Sequence, residues 1–219
     1  MEEVDPDFAR SAFNADYDQQ RAARLARHDH ALLEAFYSGQ KKLVGGSQIL
    51  EFGCELTGGS FWLAKSGRFA VADVTLDTLQ VCAKRAQQRG LRDVAFVLLR
   101  HGQDLAALPP CDLFYSSLSL KRISPPILVN ILSLLLSKVT TSGVALVHAP
   151  TRHRYNSLMI ENNKYDPEFN LIPQWILHQT LTNLGFMIYL TQETECYRSS
   201  DLVYHTVLAQ RLFTHSANA

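Results

Sequence analysis

The stretch from residue 49 to residue 73 constrains the fold more than any other part of the sequence. A short apolar run that contains Glu51 leads into Gly53, a helical segment follows, and a second apolar run ends in Asp73. Two buried strands joined by a helix are typical of a parallel βαβ unit. Such a unit leaves a crevice at the carboxyl ends of its strands, where the turn backbone and the second acid can bind a nucleotide. A carboxylate there suits a ribose, whose two hydroxyls need acceptors.

The same stretch resembles the first motif of the class I S-adenosylmethionine-dependent methyltransferases, in which an acid, any residue and a glycine precede a glycine-rich turn. Residues 51–54 match this motif, and residues 61–65 match the helix that follows it. Glu55 and Thr57 stand where the family commonly repeats glycine, and a side chain there limits how closely the backbone approaches a ligand. A dinucleotide fingerprint fits less well, because the sequence contains no G-x-G-x-x-G.

Later strand and helix signals follow in an order that also resembles this family. Apolar strand candidates cover residues 94–99, 111–117 and 144–148, and residues 186–190 and 202–208 are predicted to close the chain as an antiparallel pair. The resemblance implies an α/β fold: a doubly wound, mostly parallel seven-stranded sheet with helices on both faces and an antiparallel last strand.

The composition fits one globular domain of balanced charge. The chain has 219 residues, 47% of them hydrophobic, with 21 basic and 21 acidic side chains. It therefore has no net positive field to attract nucleic acid, and no apolar run is long enough to span a bilayer. The amino terminus is acidic, unlike a signal peptide, and the four scattered cysteines are predicted to be reduced and buried. These features favour a cytoplasmic protein without a nucleic-acid or membrane partner; they do not indicate its oligomeric state.

We expect a single methyltransferase-like domain over residues 1–219. Residues 1–46 are predicted to form an amino-terminal helical lid, residues 47–150 the cofactor-binding core, and residues 151–219 the acceptor-side loop, helix and closing strands. The periodicity of residues 8–37 predicts a helix, and an ordinary packing helix is the alternative to a lid.

The resemblance implies S-adenosyl-L-methionine as the cofactor, bound at the carboxyl edge of the sheet. Its amino-acid end is expected near Glu51 and Gly53, and its ribose near Asp73. The strand over residues 111–117 resembles the family motif that ends beside the methyl donor. His101 follows the third strand, where the family contacts adenine, although a solvated loop is the alternative. The complete predicted cofactor set is Tyr17, Glu51, Gly53, Cys54, Asp73, Val74, His101, Gln103 and Tyr115.

Residues 148–155 are predicted to form a loop after the fifth strand, and this loop has an unusual density of cationic side chains. One interpretation is a solvated basic loop. The other is a substrate-binding loop at the crevice, in which an imidazole removes a proton from the acceptor, since histidine titrates near neutral pH. The predicted residues are Arg152, Arg154 and Tyr155 for substrate binding, with His148 and His153 as catalytic bases. No histidine spacing predicts a metal site.

Three functions remain open from the sequence. The first is methyl transfer to a small molecule, with an oxygen nucleophile on a polar or anionic compound such as a sugar, hydroxy acid or phenol. The second is a binding or partner protein that kept the fold and lost catalysis, which Glu55 and Thr57 suggest. The third is a protein or nucleic-acid methyltransferase. The sequence lacks both a basic patch and the Asn/Asp-Pro-Pro-aromatic run of amino-methylating nucleic-acid enzymes.

Overall fold

The structure is a computed structural model that describes residues 25–37, 47–53, 59–65, 67–116, 120, 125–153, 172–195 and 202–213. Five α-helices lie in these ranges: α1 (residues 25–37), α2 (Leu76–Gln88), α3 (Gly102–Ala107), α4 (Pro125–Ser137) and α5 (Gln174–Asn183). A 3-10 helix spans Gly59–Lys65. None of the helices in the described ranges is both long and apolar enough to cross a membrane.

The described strands form one seven-stranded sheet in the order β3-β2-β1-β4-β5-β7-β6. The strands are β1 (Ser47–Phe52), β2 (Gly67–Asp73), β3 (Val94–Leu98), β4 (Cys111–Ser116), β5 (Val139–His153), β6 (Phe186–Glu195) and β7 (Leu202–Arg211). Strands β1 to β5 pair in parallel, whereas β7 is antiparallel to both β5 and β6. The predicted fold class is therefore confirmed.

Both faces of the sheet are covered, which explains the continuous apolar runs in the sequence. Ile49 and Val71 point to one face and pack with residues of α1, the 3-10 helix and α2. Leu50 and Ala72 point to the other face and pack with residues of α3, α4 and α5. Successive residues of a strand alternate between faces, so a strand that is covered on both sides is apolar throughout.

Helix α1 packs on the face that α2 also covers. Leu33 is only 2% exposed there. In the middle of α1, the ring of His30 lies 4.7 Å from that of Trp62 in the 3-10 helix, between centroids. Near its carboxyl end, Phe36 lies 5.1 Å from Tyr189 of β6. The described part of the predicted lid is thus a packed helix, and movement of residues 1–46 as a lid stays a prediction.

Strand β5 is longer than predicted at both ends. Residues 148–153, expected to form a loop, continue the strand and pair with β7, from His148 opposite Thr206 to His153 opposite Leu202. The loop prediction is wrong because the pairing partner lies far away in sequence, where a local pattern carries no information about it. At the other end, the strand begins at Val139 rather than at residue 144, shortly after α4 ends at Ser137.

Helix α3 was not predicted, since its six residues are too few for a periodic pattern. Asp104 stabilises its first turn: the carboxylate accepts hydrogen bonds from the backbone N–H groups of Arg100 and His101, at 2.7 and 2.8 Å. These bonds lower the pKa of Asp104, with the bond from His101 as the largest cause. A carboxylate in the first helical turn satisfies N–H groups that have no partner within a helix.

The cysteines differ from the expected reduced thiols. Cys82 in α2 is disulfide-bonded, and its partner lies outside the described residues. Cys111 at the start of β4 is a free, buried thiol, and burial raises its pKa to about 12. The expectation is therefore wrong for Cys82.

Candidate cofactor and acceptor site

The ends of β1 and β2 place a glycine turn beside a carboxylate. Gly53 follows β1 with φ 77°, in the left-handed region that favours glycine. Its N–H donates to the Ala72 carbonyl at 2.8 Å, which ties the turn to β2 one residue before Asp73. Asp73 is 8% exposed, and its Oδ1 accepts a hydrogen bond from the Thr75 N–H at 2.8 Å. The turn and the acid thus share the carboxyl edge of two adjacent strands.

Other predicted cofactor residues surround this pair. Glu51 is 2% exposed and lies beside Val71 in β2, two residues before the turn. Val74, directly after Asp73, is exposed. The end of β3 adjoins the same point, because the Leu99 N–H donates to the Asp73 carbonyl at 2.8 Å. His101 and Gln103 follow on the surface at the start of α3.

Tyr115 and His148 meet at Asp29, a carboxylate of α1 that is 0% exposed. The Tyr115 hydroxyl donates to Asp29 Oδ2 at 2.7 Å, and His148 Nε2 lies 2.9 Å from the same oxygen. The other ring nitrogen of His148, Nδ1, is 2.8 Å from the hydroxyl of Thr206 in β7. At the open end of the cluster, His28 Nδ1 is 3.1 Å from Asp29 Oδ1.

The charge of Asp29 is stabilised inside this cluster. Burial alone raises the pKa of the carboxyl, but the charge of His148 and the hydrogen bonds from His148, His28 and Tyr115 outweigh burial and lower the pKa to about 2. Asp29 is therefore ionised at neutral pH. An ionised carboxylate only accepts hydrogen bonds, so each of its three partners donates a hydrogen bond to it.

The register of the sheet places this cluster at the level of the crevice. Glu51, Tyr115 and Leu146 lie in one row across β1, β4 and β5. His148 lies two residues after Leu146 on the same face of β5, and Gly53 directly follows the last residue of β1. The glycine turn and the Asp29 cluster are thus two parts of one edge of the sheet.

Comparison with known proteins gives structural matches alone. No protein-family model matches the sequence, and no curated protein matches it. The magnesium protoporphyrin IX methyltransferase of Synechocystis PCC 6803, solved with bound S-adenosylhomocysteine, is similar with a TM-score of 0.65 and 17% identity, over 96% of this chain and 89% of that one. The chain has the class I methyltransferase fold.

Two further structures show how widely the methyltransferase fold is used. A protein of Galdieria sulphuraria described as a sarcosine dimethylglycine methyltransferase matches with a TM-score of 0.64 and 10% identity, over 88% of this chain and 86% of that one. The [4+2]-cyclase SpnF matches with a TM-score of 0.63 and 17% identity, over 88% and 82%. Similarity at this level of identity shows the fold, and the activity has to be argued from the site.

Within the methyltransferase fold, His148 lies elsewhere than predicted. The sequence placed it on a loop in direct contact with an acceptor, but it is 0% exposed in β5 and both ring nitrogens are hydrogen-bonded. The expected loop position is therefore wrong, and direct contact with an acceptor does not fit these bonds. A part in proton transfer stays a prediction, and it requires a hydrogen-bonded group between the ring and the acceptor.

Several predicted residues fall outside what the structure describes. Tyr17, Cys54, Arg154 and Tyr155 lie outside the described residues, as do the side chains of Arg152 and His153, although their backbones belong to β5. Their predicted roles stay predictions. Among the residues that are described, no group of three or more His, Cys, Asp or Glu side chains can hold a metal ion.

Asp29 was not among the predicted site residues, although the sequence contains a signal for it. Leu25, Asp29 and Leu33 recur every fourth residue, so they share the buried stripe of α1. A charged residue on such a stripe is almost never fully buried unless it is paired. Thr206 carries no comparable signal, because a threonine inside a strand is common.

Proposed function

We propose that this protein is an S-adenosyl-L-methionine-dependent methyltransferase that acts on a small molecule. The observation that carries the proposal is the adjacent placement of the Gly53 turn and Asp73 at the carboxyl edge of a methyltransferase fold. The turn backbone can approach the amino-acid end of the cofactor, and the Asp73 carboxylate can accept hydrogen bonds from the ribose. The similar Synechocystis enzyme is known with S-adenosylmethionine and with S-adenosylhomocysteine bound, which supports this cofactor.

The adenine would lie over the ends of β2 and β3. Val74 offers an apolar surface there, since its side chain is 45% exposed directly after Asp73. His101 and Gln103, exposed at the start of α3, offer hydrogen-bonding groups to the ring edge. In this proposal Tyr17 and Cys54 complete the cofactor site, and Tyr115 lies beneath the methyl donor.

The acceptor is proposed to be an oxygen nucleophile on a polar or anionic compound. Arg152, near the end of β5, is proposed to bind it together with Arg154 and Tyr155, which come next in the sequence, since cationic groups can hold such a molecule. His153 is one proposed base and would contact the acceptor directly. His148 is the other and would take up the proton indirectly, since Asp29 and Thr206 occupy both of its nitrogens.

Methyl transfer to a hydroxyl requires two contributions from the protein: the correct geometry and one group that accepts a proton. When bound, the cofactor supplies an electrophilic methyl group on a sulfonium. The side chains orient the acceptor oxygen in line with that methyl group, exclude water and accept the hydroxyl proton. The balanced charge of the chain favours a small acceptor over nucleic acid. A cytoplasmic location is part of the same proposal, and the disulfide of Cys82 is the observation that weighs against it.

Calorimetry tests the proposal directly. Purified protein is titrated with S-adenosylmethionine and with S-adenosylhomocysteine, and binding of both is expected. Sugars, hydroxy acids and phenols are then screened for the formation of S-adenosylhomocysteine. The absence of heat with either cofactor form would contradict the proposal. Binding without turnover on any acceptor class would favour the second candidate.

The second candidate is a methyltransferase-like protein that binds the cofactor or another ligand and carries out a different task. Two observations favour it: Glu55 and Thr57 replace common glycines of the first motif, and the structurally similar SpnF is a [4+2]-cyclase. Glu55→Gly tests whether the Glu55 carboxylate faces the cofactor. If the Glu55 carboxylate repels that of the cofactor, the variant binds the cofactor more tightly.

A further inference from the structure

The disulfide of Cys82 lies on the buried side of α2, close to the strand that ends in the cofactor site. The Cys82 side chain is 0% exposed and belongs to the apolar cluster that also contains Val71 of β2. The chain has four cysteines, and Cys111 is a free thiol. The disulfide partner of Cys82 is therefore either Cys54 or Cys196, both of which lie outside the described residues.

The topology of the sheet excludes Cys196 as the partner. This residue directly follows Glu195, the last residue of β6, and β6 lies five strands away from β2 in the sheet order. Neighbouring strands lie about 4.8 Å apart, so this lateral separation is about 24 Å. Consecutive Cα atoms are about 3.8 Å apart, and a disulfide joins Cα atoms at most about 6.8 Å apart. Since α2 packs on β2 and β3, Cys196 cannot reach Cys82.

The chain on both sides of Cys54 leads toward Cys82. Cys54 directly follows Gly53, whose N–H donates to the Ala72 carbonyl of β2 at 2.8 Å. After the turn, the 3-10 helix packs on the face of the sheet that α2 also covers, in the same apolar cluster as Cys82. The described neighbours of the turn therefore bring it both to β2 and to the face on which Cys82 lies.

We propose that Cys82 forms its disulfide with Cys54, and that this bond makes the Gly53 turn of the cofactor site sensitive to redox conditions. In the oxidised protein the bond anchors the turn to α2, and in the reduced protein this anchor is lost. Disulfides in cytoplasmic proteins are usually transient and redox-sensing, so a reversible bond also agrees with the proposed location.

The effect on the cofactor rests on the proposed function, in which the turn backbone approaches the amino-acid end of S-adenosylmethionine. A turn that is already fixed loses less conformational freedom when the cofactor binds. The oxidised protein is therefore expected to bind the cofactor more tightly than the reduced protein.

A dithiol reductant converts the bond to two thiols. One thiolate of the reductant attacks the Cys54 sulfur, because Cys82 is buried, and the sulfur–sulfur bond breaks with its electron pair on the Cys82 sulfur. The second thiolate of the reductant then attacks the mixed disulfide and releases Cys54. The reductant gives up two electrons and becomes a disulfide, and its two protons end on the sulfurs of Cys54 and Cys82.

Peptide mapping by mass spectrometry identifies the partner of Cys82 without any ligand. The protein is equilibrated with an oxidised dithiol, its free thiols are alkylated under denaturing conditions, and its proteolytic peptides are sequenced before and after reduction. We expect one linked pair of peptides, containing Cys54 and Cys82, with Cys111 and Cys196 alkylated. A link between Cys82 and Cys196, or alkylation of all four cysteines, would overturn the inference.

Calorimetry with S-adenosylhomocysteine tests the effect on the cofactor site. Reduction of the wild type by a dithiol is expected to weaken binding by about threefold to tenfold. Cys82→Ala removes the bond without altering the turn sequence, so it should bind like the reduced wild type under both conditions. Cys111→Ala is the matched control, because it removes a buried cysteine that is a free thiol, and it should respond to reduction as the wild type does.

The two experiments separate failure of this inference from failure of the proposed function. If neither redox form binds the cofactor, the proposed function fails, and the linked peptides still decide whether Cys54 is the partner. If the cofactor binds equally well to the oxidised and the reduced wild type, redox control of the turn is overturned. This comparison needs no variant, so it decides the point even if Cys82→Ala fails to fold.

Discussion

Two carboxylates, Asp73 and Asp29, are held in the site by different kinds of partner. The described bond to Asp73 comes from the backbone N–H of Thr75, two residues away. Asp29 is held by side chains from two strands and by its neighbour His28. A local backbone bond forms wherever the turn forms, whereas the Asp29 bonds depend on the whole sheet being assembled.

The first prediction concerns Asp73. Asp73→Ala should remove charge-assisted hydrogen bonds to the ribose worth roughly 1.5–3 kcal/mol, which weakens cofactor binding by about one to two decades. Isothermal titration calorimetry with S-adenosylhomocysteine measures the change. Asp77→Ala is the control, since Asp77 is an exposed carboxylate in the first turn of α2. An equal loss in both variants would indicate a general charge effect and contradict a ribose contact by Asp73.

At the scale of elements, two helices end at glycines whose surroundings differ. Gly90 follows α2 with φ 73°, and Gly185 follows α5 with φ 82°. A Cβ on Gly90 would meet nothing within 4 Å, whereas one on Gly185 would lie 2.4 Å from the Phe213 carbonyl oxygen. Backbone closes around Gly185 because the Leu212 N–H donates to its carbonyl at 2.9 Å.

The second prediction compares alanine at these two positions. Gly90→Ala should cost about 1 kcal/mol, the penalty for a side chain in the left-handed region. Gly185→Ala should cost about 2–4 kcal/mol, because the chain after β7 must also move. Urea unfolding followed by circular dichroism gives both values. Equal losses of stability in the two variants would contradict the prediction and show that the segment around Phe213 can move aside without cost.

The elements differ in how well the sequence predicts them. The ends of α2 and α5 are predictable from the sequence, because Gly90 and Gly185 follow these helices and a glycine helix stop is a local signal. The extension of β5 past His148 could not be predicted, because residues 148–153 are polar or small and become a strand only by pairing with β7. The contact between Asp29 and His148 spans 119 residues and has no local signature beyond a charge on an apolar stripe.

For the whole molecule, the Asp29 cluster predicts how stability depends on pH. Folding lowers the pKa of the Asp29 carboxyl from its ordinary value of 3.8 to about 2. A carboxyl whose pKa is lowered by folding stabilises the protein above its unfolded pKa, and this contribution is lost as the pH falls toward the folded pKa. The difference corresponds to about 2 kcal/mol, lost between about pH 4 and pH 2.

The third prediction follows from this loss of stability at acid pH. The free energy of unfolding of the wild type should fall through this acid range, and Asp29→Asn should remove about 2 kcal/mol of the fall while lowering stability at neutral pH. Urea titrations across the acid range measure it. Gly90→Ala, which removes no titratable group, should lower the free energy of unfolding without changing the steepness of its fall. A wild-type and an Asp29→Asn profile that run parallel would contradict the prediction.

The molecule as a whole was more predictable than its site. Alternating strand and helix signals determine a doubly wound sheet, since few topologies accommodate that order. The first half of the candidate site, Gly53 beside Asp73, could be predicted, because these residues end adjacent strands of one βαβ unit. The second half could not, because Asp29, Tyr115, His148 and Thr206 come from four elements and meet only in the folded protein.

The position of β7 between β5 and β6 has a consequence for biosynthesis. Strand β6 leaves the ribosome before β7, yet within the described sheet it pairs with β7 alone. Until residues 202–211 emerge, the nascent chain therefore has two unsatisfied edges, one on β5 and one on β6. Such edges are templates for pairing with neighbouring chains. A stalled or truncated translation product that lacks β7 would therefore be a substrate for chaperones, although it already contains every strand of the parallel part of the sheet.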